Sequence, residues 1–268
     1  MAEEMKSGAM DLGGEAAERT AAEAKTAVAG EKASKRTVFQ VMEAYKMIRT
    51  NLLFSLATTE NRVVVFSSAE PSAGKSTLSA NLAIVMAQTG ARVLLIDGDM
   101  RKPSQHRNFK KTRSMGLSKV LGGLSTLDEC IYENVKPNVD LITSGPTPPN
   151  PSELLGSVRM KELLEEVQTR YDYVFIDMPP LCVVADALVV APNTAGVVLV
   201  ARHNQTMYEE FAEALEKVET SCAKLLGTVL TDMKVGTGNY GRYGRYGRYE
   251  RRRYYQRYDY EYSSNSGK

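Results

Sequence analysis

From Arg62 onward the chain repeats one pattern: a short, unbroken apolar run, then a longer stretch with helical spacing. The runs are Val63–Phe66, Val93–Ile96, Val139–Ile142, Val174–Ile176, Ala195–Val200 and Gly227–Leu230. A strand with one face in water alternates apolar and polar residues, whereas an unbroken run marks a strand covered on both faces. Helices are expected at 75–89, 153–169 and 206–221. One more is expected over Val38–Leu56, where Met42, Tyr45, Ile48, Leu52 and Leu53 fall near helical spacing. Strand–helix alternation of this kind predicts an α/β fold with a doubly wound, mostly parallel sheet.

The chain has 268 residues, which fits one domain of about 200 residues with tails. Residues 1–35 are rich in Ala, Glu, Lys, Thr and Gly without an apolar stripe, and are expected to be a flexible segment. The core-forming pattern occupies 36–235. Past Val235 the sequence turns rich in glycine and poor in apolar residues, marking the end of the domain. The three cysteines, Cys130, Cys182 and Cys222, show no zinc or redox spacing and fit a reducing, cytoplasmic compartment. No apolar stretch is long enough to span a bilayer, so membrane contact is expected only through a partner.

After the run Val63–Phe66 comes Ser67-Ser68-Ala69-Glu70-Pro71-Ser72-Ala73-Gly74-Lys75-Ser76-Thr77, and then a helical stretch. This is a phosphate-binding loop in its proper setting, strand before and helix after. The N–H groups of a tight loop at a helix N-terminus cradle phosphates. Ala73, Gly74, Lys75, Ser76 and Thr77 are therefore the candidate nucleotide-binding residues. Lys75 would reach the terminal phosphates, the Ser76 hydroxyl would ligate Mg²⁺, and Thr77 would sit near the α-phosphate. Ala69 stands where the motif usually has glycine.

Two further apolar runs end in acid. One continues Val93-Leu94-Leu95-Ile96-Asp97-Gly98-Asp99, the other Val174-Phe175-Ile176-Asp177. A lone acid at a strand end is often a helix cap. Three of them beyond the carboxyl ends of parallel strands, beside a phosphate loop, instead suggest a site for Mg²⁺ and its waters.

The end of the chain is unlike the rest. Nine of its fourteen tyrosines fall at Tyr240, Tyr243, Tyr246, Tyr249, Tyr254, Tyr255, Tyr258, Tyr260 and Tyr262, strung on Gly and Arg. That segment has no apolar face and is expected to be disordered. Residues 236–268 carry eight Lys/Arg and three Asp/Glu, a charge of +5; the whole chain is +2, so residues 1–235 total −3. Taken alone, such a tail fits two uses: its hydroxyls are reacted upon, or its rings and arginines stack on nucleic acid.

These parts together resemble the bacterial tyrosine kinases (BY-kinases) of capsule and exopolysaccharide synthesis, over about residues 38–262. The resemblance is carried by the phosphate loop, the acidic strand Val93–Arg101, Phe175–Pro180 and the tyrosine-rich tail. The stretches Asp97–His106 and Gly145–Leu155 also match family signatures. It implies a P-loop NTPase fold of the deviant-Walker class, here a kinase domain over 36–235, with ATP and Mg²⁺ as cofactors. Catalytic roles fall on Lys75, Asp97 and Asp99, with Asp97 taking the proton of the attacking tyrosine. Ser76, Asp99 and Asp177 hold the metal. The tail tyrosines become the phosphorylation sites, modified in trans.

The lack of a spanning segment resembles the Gram-positive subtype, whose kinase is recruited to the inner face of the plasma membrane. The expected partners are a membrane-anchored activator or polysaccharide co-polymerase, further copies of the chain in a ring, and a cognate tyrosine phosphatase. Nucleic acid is not expected. Glu43, Lys46 and Arg49 resemble a subunit-contact motif, with Lys46 where the family has arginine; lysine cannot make arginine's flat two-pronged pair with a carboxylate. The alternative is a partition- or positioning-type P-loop ATPase with a tail that binds nucleic acid or a partner. Those chains carry a lysine five residues before the loop lysine, where this chain has Glu70. The basic run His106–Arg113 is left unassigned, either a solvated loop or a guide for an anionic tail.

Overall fold

A computed structural model of the chain describes residues 39–233. The segment 1–35, the tail 236–268 and all nine tail tyrosines lie outside the described residues.

The elements run in chain order as α1 (residues 39–56), β1 (Val63–Ser68), α2 (Lys75–Ala87), β2 (Val93–Asp97), α3 (Gln105–Asn108), α4 (Leu117–Leu121), α5 (Leu127–Cys130), β3 (Ile131–Lys136), β4 (Val139–Ile142), α6 (Pro151–Leu155), α7 (Val158–Arg170), β5 (Tyr173–Asp177), α8 (Asp186–Val190), β6 (Gly196–Arg202), α9 (Tyr208–Thr220) and β7 (Leu225–Thr231). The strands form one sheet in the order β3-β4-β2-β5-β1-β6-β7. Every pairing is parallel except β3 with β4.

Every residue of β1 and β2 is buried. Their side chains alternate between two cores, as the pleat requires. Val63, Val65, Leu94, Ile96, Val174 and Ile176 point to the face covered by α7 and α9. Val64, Phe66, Val93, Leu95 and Phe175 point to the face covered by α1 and α2. Phe66 and Phe175 meet edge to face, with centroids 5.0 Å apart.

Three expectations need correction, the first being that the run Gly227–Leu230 is covered on both faces: it lies in β7, an edge strand with no buried residue. The helix expected at 153–169 is two helices, α6 and α7. Gly156 ends the first, and the Ser157 hydroxyl accepts the Met160 N–H to start the second, a cap that opens a new helix rather than continuing the old one. The sequence reading also omits β3, which carries Glu133, Asn134 and Lys136 and is largely exposed. It is an antiparallel edge strand, and charged residues at such an edge keep it from pairing with another chain.

Candidate active site

The sheet register sets the site. Asp177 pairs with both Phe66 and Asp97, so β2 and β5 end at one level and β1 runs two residues further, into the phosphate loop. Between Asp97, which ends β2, and Asp99, Gly98 packs so closely on the end of β5 that an added Cβ would lie 2.3 Å from the sulfur of Met178, the residue after it. Glycine is thus what lets Asp97 and Asp99 turn in beside Asp177.

The phosphate loop leaves β1 and enters α2 through two left-handed residues, Ser72 at φ 65° and Gly74 at φ 91°. For glycine this is free; for Ser72 it is strained by about 1 kcal/mol. Among the described residues, the loop and first-turn N–H groups of Gly74–Thr77 have no backbone acceptor outside the helix, as at any helix start. The loop carbonyls, in contrast, are held from behind. Thr231 donates to Ala73 O at 2.7 Å and Arg202 to Ser72 O at 3.2 Å. Ala73 itself is buried.

Lys75 gathers the acids. Its Nζ lies 3.2 Å from Asp99 Oδ2, 3.4 Å from Asp177 Oδ1 and 3.3 Å from Ser76 Oγ. Burial pushes the ammonium toward its neutral form, but Asp177 and Asp99 reverse this and raise its pKa. Asp97 has no cation on it. Its Oδ2 accepts the N–H groups of Ser104 and Gln105 at 3.0 and 2.9 Å. Its Oδ1 is buried with no partner among the described residues. Burial, with Asp177 and Asp99 adding repulsion, pushes Asp97 up to about 8. Burial pushes Asp177 up as well, against the pull of Lys75, Ser76 and Gln105.

A cleft of about 480 Å³ opens over this floor, lined by Gly74, Lys75, Ser76, Thr77 and Asp99 among others. That is the size of a small-molecule site. Asp97 and Asp177 lie beneath its surface, both fully buried. The donor set suits Mg²⁺, which takes one or two carboxylates and completes its shell with phosphates and water. Among the described residues no three acidic, His or Cys side chains form a self-contained metal cage.

The AAA-domain family model matches residues 61–225. The tyrosine-protein kinase YwqD of Bacillus subtilis is 42% identical over 203 residues, covering 74% of this chain and 86% of the relative. The putative tyrosine-protein kinase EpsB of Ralstonia solanacearum is 40% identical over 84% of this chain but only 29% of its own length. The crystallised kinase domain of the Escherichia coli tyrosine kinase ETK superimposes with a TM-score of 0.71 at 36% identity, covering 74% of this chain and 78% of that one. The chain belongs to the bacterial tyrosine-protein kinases.

Within this kinase fold the two signature segments are joined by a buried acid. Arg101 places its Nε and Nη2 2.8 and 3.0 Å from the two oxygens of Asp186, and Nη2 also reaches Ser152 Oγ at 3.2 Å. Ser152 donates to Asp186 in turn. Burial opposes the charge on Asp186, but Arg101 and Ser152 hold its pKa below the ordinary range. No sequence signal singled out Asp186, because its partners are 85 and 34 residues away.

Gln105 is the second residue that sequence reasoning missed. Fully buried, it donates from Nε2 to Ser76 O at 3.0 Å, Ser79 Oγ at 3.2 Å and Asp177 Oδ2 at 2.8 Å. Its backbone N–H holds Asp97, and its Oε1 accepts from Asn108 at 3.0 Å. One side chain thus touches the phosphate-loop helix and Asp177, while its backbone fixes the third acid.

The suggested subunit-contact residues do not all face outward. Glu43 and Lys46 pair with each other at 2.8 Å on the open side of α1. Arg49 turns in and donates to Val85 O on α2 at 2.9 Å. No helix among the described residues is long and apolar enough to cross a membrane.

Proposed function

We propose that the chain transfers the γ-phosphoryl group of ATP to the tyrosines of its own C-terminal segment, from one copy to another. The supporting observation is the convergence of Lys75, Asp99 and Asp177 under a phosphate loop whose N–H groups face a cleft of about 480 Å³. The loop N–H groups and Lys75 hold the phosphates, and Ser76, Asp99 and Asp177 hold Mg²⁺. When bound, the metal neutralises charge on the phosphates during transfer. A tyrosine oxygen attacks the γ-phosphorus, the bond to the β–γ bridging oxygen breaks, ADP leaves, and the phenolic proton passes to Asp97. Asp97 must be ionised to accept it, so transfer rises with pH toward about 8. Positive charge drawn to Asp99 and Asp177 lowers that threshold.

Each phosphate adds about −1.5 to −2 charges, so nine would add roughly −14 to the tail. This swing loosens a ring of copies built through α1, where Glu43 and Lys46 are available and Arg49 stabilises the helix seat. A membrane-anchored activator brings the kinase to the inner face of the plasma membrane, a tyrosine phosphatase resets the tail, and the cycle regulates capsule or exopolysaccharide synthesis. The test is incubation of the purified chain with labelled ATP and Mg²⁺. Label should appear on tyrosine and vanish in Lys75→Met. ATP hydrolysis with no tyrosine labelling, with or without an activator, would point instead to a partition-type ATPase.

A further inference from the structure

The cleft is lined by two chemistries. Lys75, Ser76, Asp99, Arg101 and Lys102 are charged or polar, whereas Pro71, Pro179, Pro180, Val183 and Val184 are apolar. Transfer of a phosphoryl group, as derived above, uses only the first set. Yet Val183 is 59% exposed and Val184 is only partly buried, so the apolar lip meets water. A valine scattered on an open surface is ordinary; one held in place at the mouth of a reaction cleft calls for a partner.

The lip is tied down at both ends. The Ser67 hydroxyl donates to Pro179 O at 2.7 Å, and the N–H groups of Leu181 and Cys182 donate to Ser68 O and Ala69 O at 2.8 and 3.2 Å. Lys217 reaches in from α9 to donate to Leu181 O at 3.3 Å. The N–H groups of Val183 and Val184 both turn back onto Pro180 O at 3.2 Å. Beyond Ala185, the buried Asp186 is clamped by Arg101 and Ser152. Val183 therefore cannot fold away from water without breaking these bonds. Chain order sets where the lip lies along a nucleotide. Pro179 and Pro180 follow Asp177 by two and three residues, at the terminal-phosphate end, whereas Thr77 marks the α-phosphate end. The lip adjoins the group being transferred rather than the base.

We propose that Pro180, Val183 and Val184 seat the aromatic ring of the acceptor tyrosine, supplied by segment 236–268 of a second copy. This rests on the kinase reading above and adds what selects a phenol over an aliphatic alcohol. The segment holds nine tyrosines and no Val, Leu, Ile, Met or Phe, so its rings are the large apolar groups it can offer. A tyrosine is apolar along its ring and polar at its tip. The ring covers the lip while the hydroxyl turns toward the γ-phosphorus. A serine or threonine is too short to do both and leaves the valines wet. The lip offers no donor to a phosphate, so the product is not retained there, in step with the loosening proposed above.

The test compares three synthetic peptides of residues 236–268: the natural one, one with every tyrosine replaced by phenylalanine, and one with every tyrosine replaced by serine. Binding to the full chain is measured in Mg·ADP, where no transfer occurs, so a failure here is distinct from a failure of the labelling experiment. The three peptides carry the same charge, and the chain's own tails compete with each alike. The tyrosine and phenylalanine peptides should bind with similar affinity, and the serine peptide about tenfold or more weakly. Val183→Asp should erase this preference while the affinity for Mg·ADP is unchanged. Val183→Leu, which keeps the surface apolar, should retain it. Val183→Thr, which keeps the shape and adds a hydroxyl, should lessen the preference at an unchanged thermal midpoint and guards against misfolding of the aspartate variant. Equal affinity for the ring-bearing and serine peptides, or a preference that survives in Val183→Asp, would overturn the proposal. So would a parallel loss of Mg·ADP affinity in Val183→Asp, which would assign the lip to the nucleotide.

Discussion

The phosphate loop is held from two sides, and the sides differ in kind. On the inner side stand Lys75, Asp97, Asp99, Asp177 and Gln105, each less than one-tenth exposed. On the outer side stand Arg202, Asp232 and Thr231, all partly or well exposed, with Arg202 and Asp232 paired at 3.2 Å. Inside, each charge depends on the next, since a buried charge deprived of its partner is destabilising. Outside, water replaces whatever is removed, and an exposed ion pair contributes about 1 kcal/mol or less. The inner wall therefore sets chemistry, and the outer wall only guides the loop's path. Removing single side chains should expose that difference.

The largest effect is expected at Asp97. In the folded chain its carboxyl keeps its proton up to about pH 8, against an ordinary value of 3.8. The folded state thus holds the extra proton between those values, and stability falls as pH rises through that window. Asp97→Asn removes this penalty. Its unfolding free energy should exceed the parent's by an amount that grows with pH across the window, reaching on the order of a few kcal/mol above it. Tyrosine phosphorylation should at the same time drop by about a hundred- to ten-thousand-fold, the usual loss when a general base is removed. A variant more stable yet inactive would mark Asp97 as functional strain. A variant less stable at every pH would break the assignment of the inner wall.

Gln105 comes next. Gln105→Met keeps the volume but strips Asp177 of its Nε2–H donor. Residues that orient a metal ligand typically change metal affinity by about 10- to 100-fold. Calorimetry should therefore show Mg·ADP binding weakened by about that factor, with metal-free ADP binding little changed. Gln105→Glu should be worse than Met, because it sets a third oxygen against Asp177. Equal loss of both forms of nucleotide would mean that Gln105 only fills space.

These residues also show which parts of the molecule are readable from sequence. Lys75, Asp97, Asp99 and Asp177 were legible because each terminates or follows an unbroken apolar run, and the parallel register brings such ends to one level. Gln105 was not, because a lone glutamine in a polar loop carries no periodic signal and its role arises only where α3 folds back over α2. β3 escaped for a related reason: an exposed edge strand has no need of apolar residues, so its composition is that of a loop. The break between α6 and α7 was visible in Gly156-Ser157, but a helical spacing that continues on both sides masked it.

The smallest effect belongs to the outer wall. Thr231 donates to Ala73 O at 2.7 Å and its methyl lies about where a Cβ on Gly74 would meet it, 3.5 Å away. Thr231→Val keeps that packing and removes only the hydroxyl. Ala73 is buried, so its carbonyl is left without that donor, at a cost of about 1–3 kcal/mol. The thermal midpoint should fall, while the affinity for Mg·ADP stays within about twofold, since RT ln 2 is far below the energy of the inner contacts. A tenfold loss of nucleotide affinity in Thr231→Val would mean that the loop's path is not self-supporting, and that the two walls act as one device.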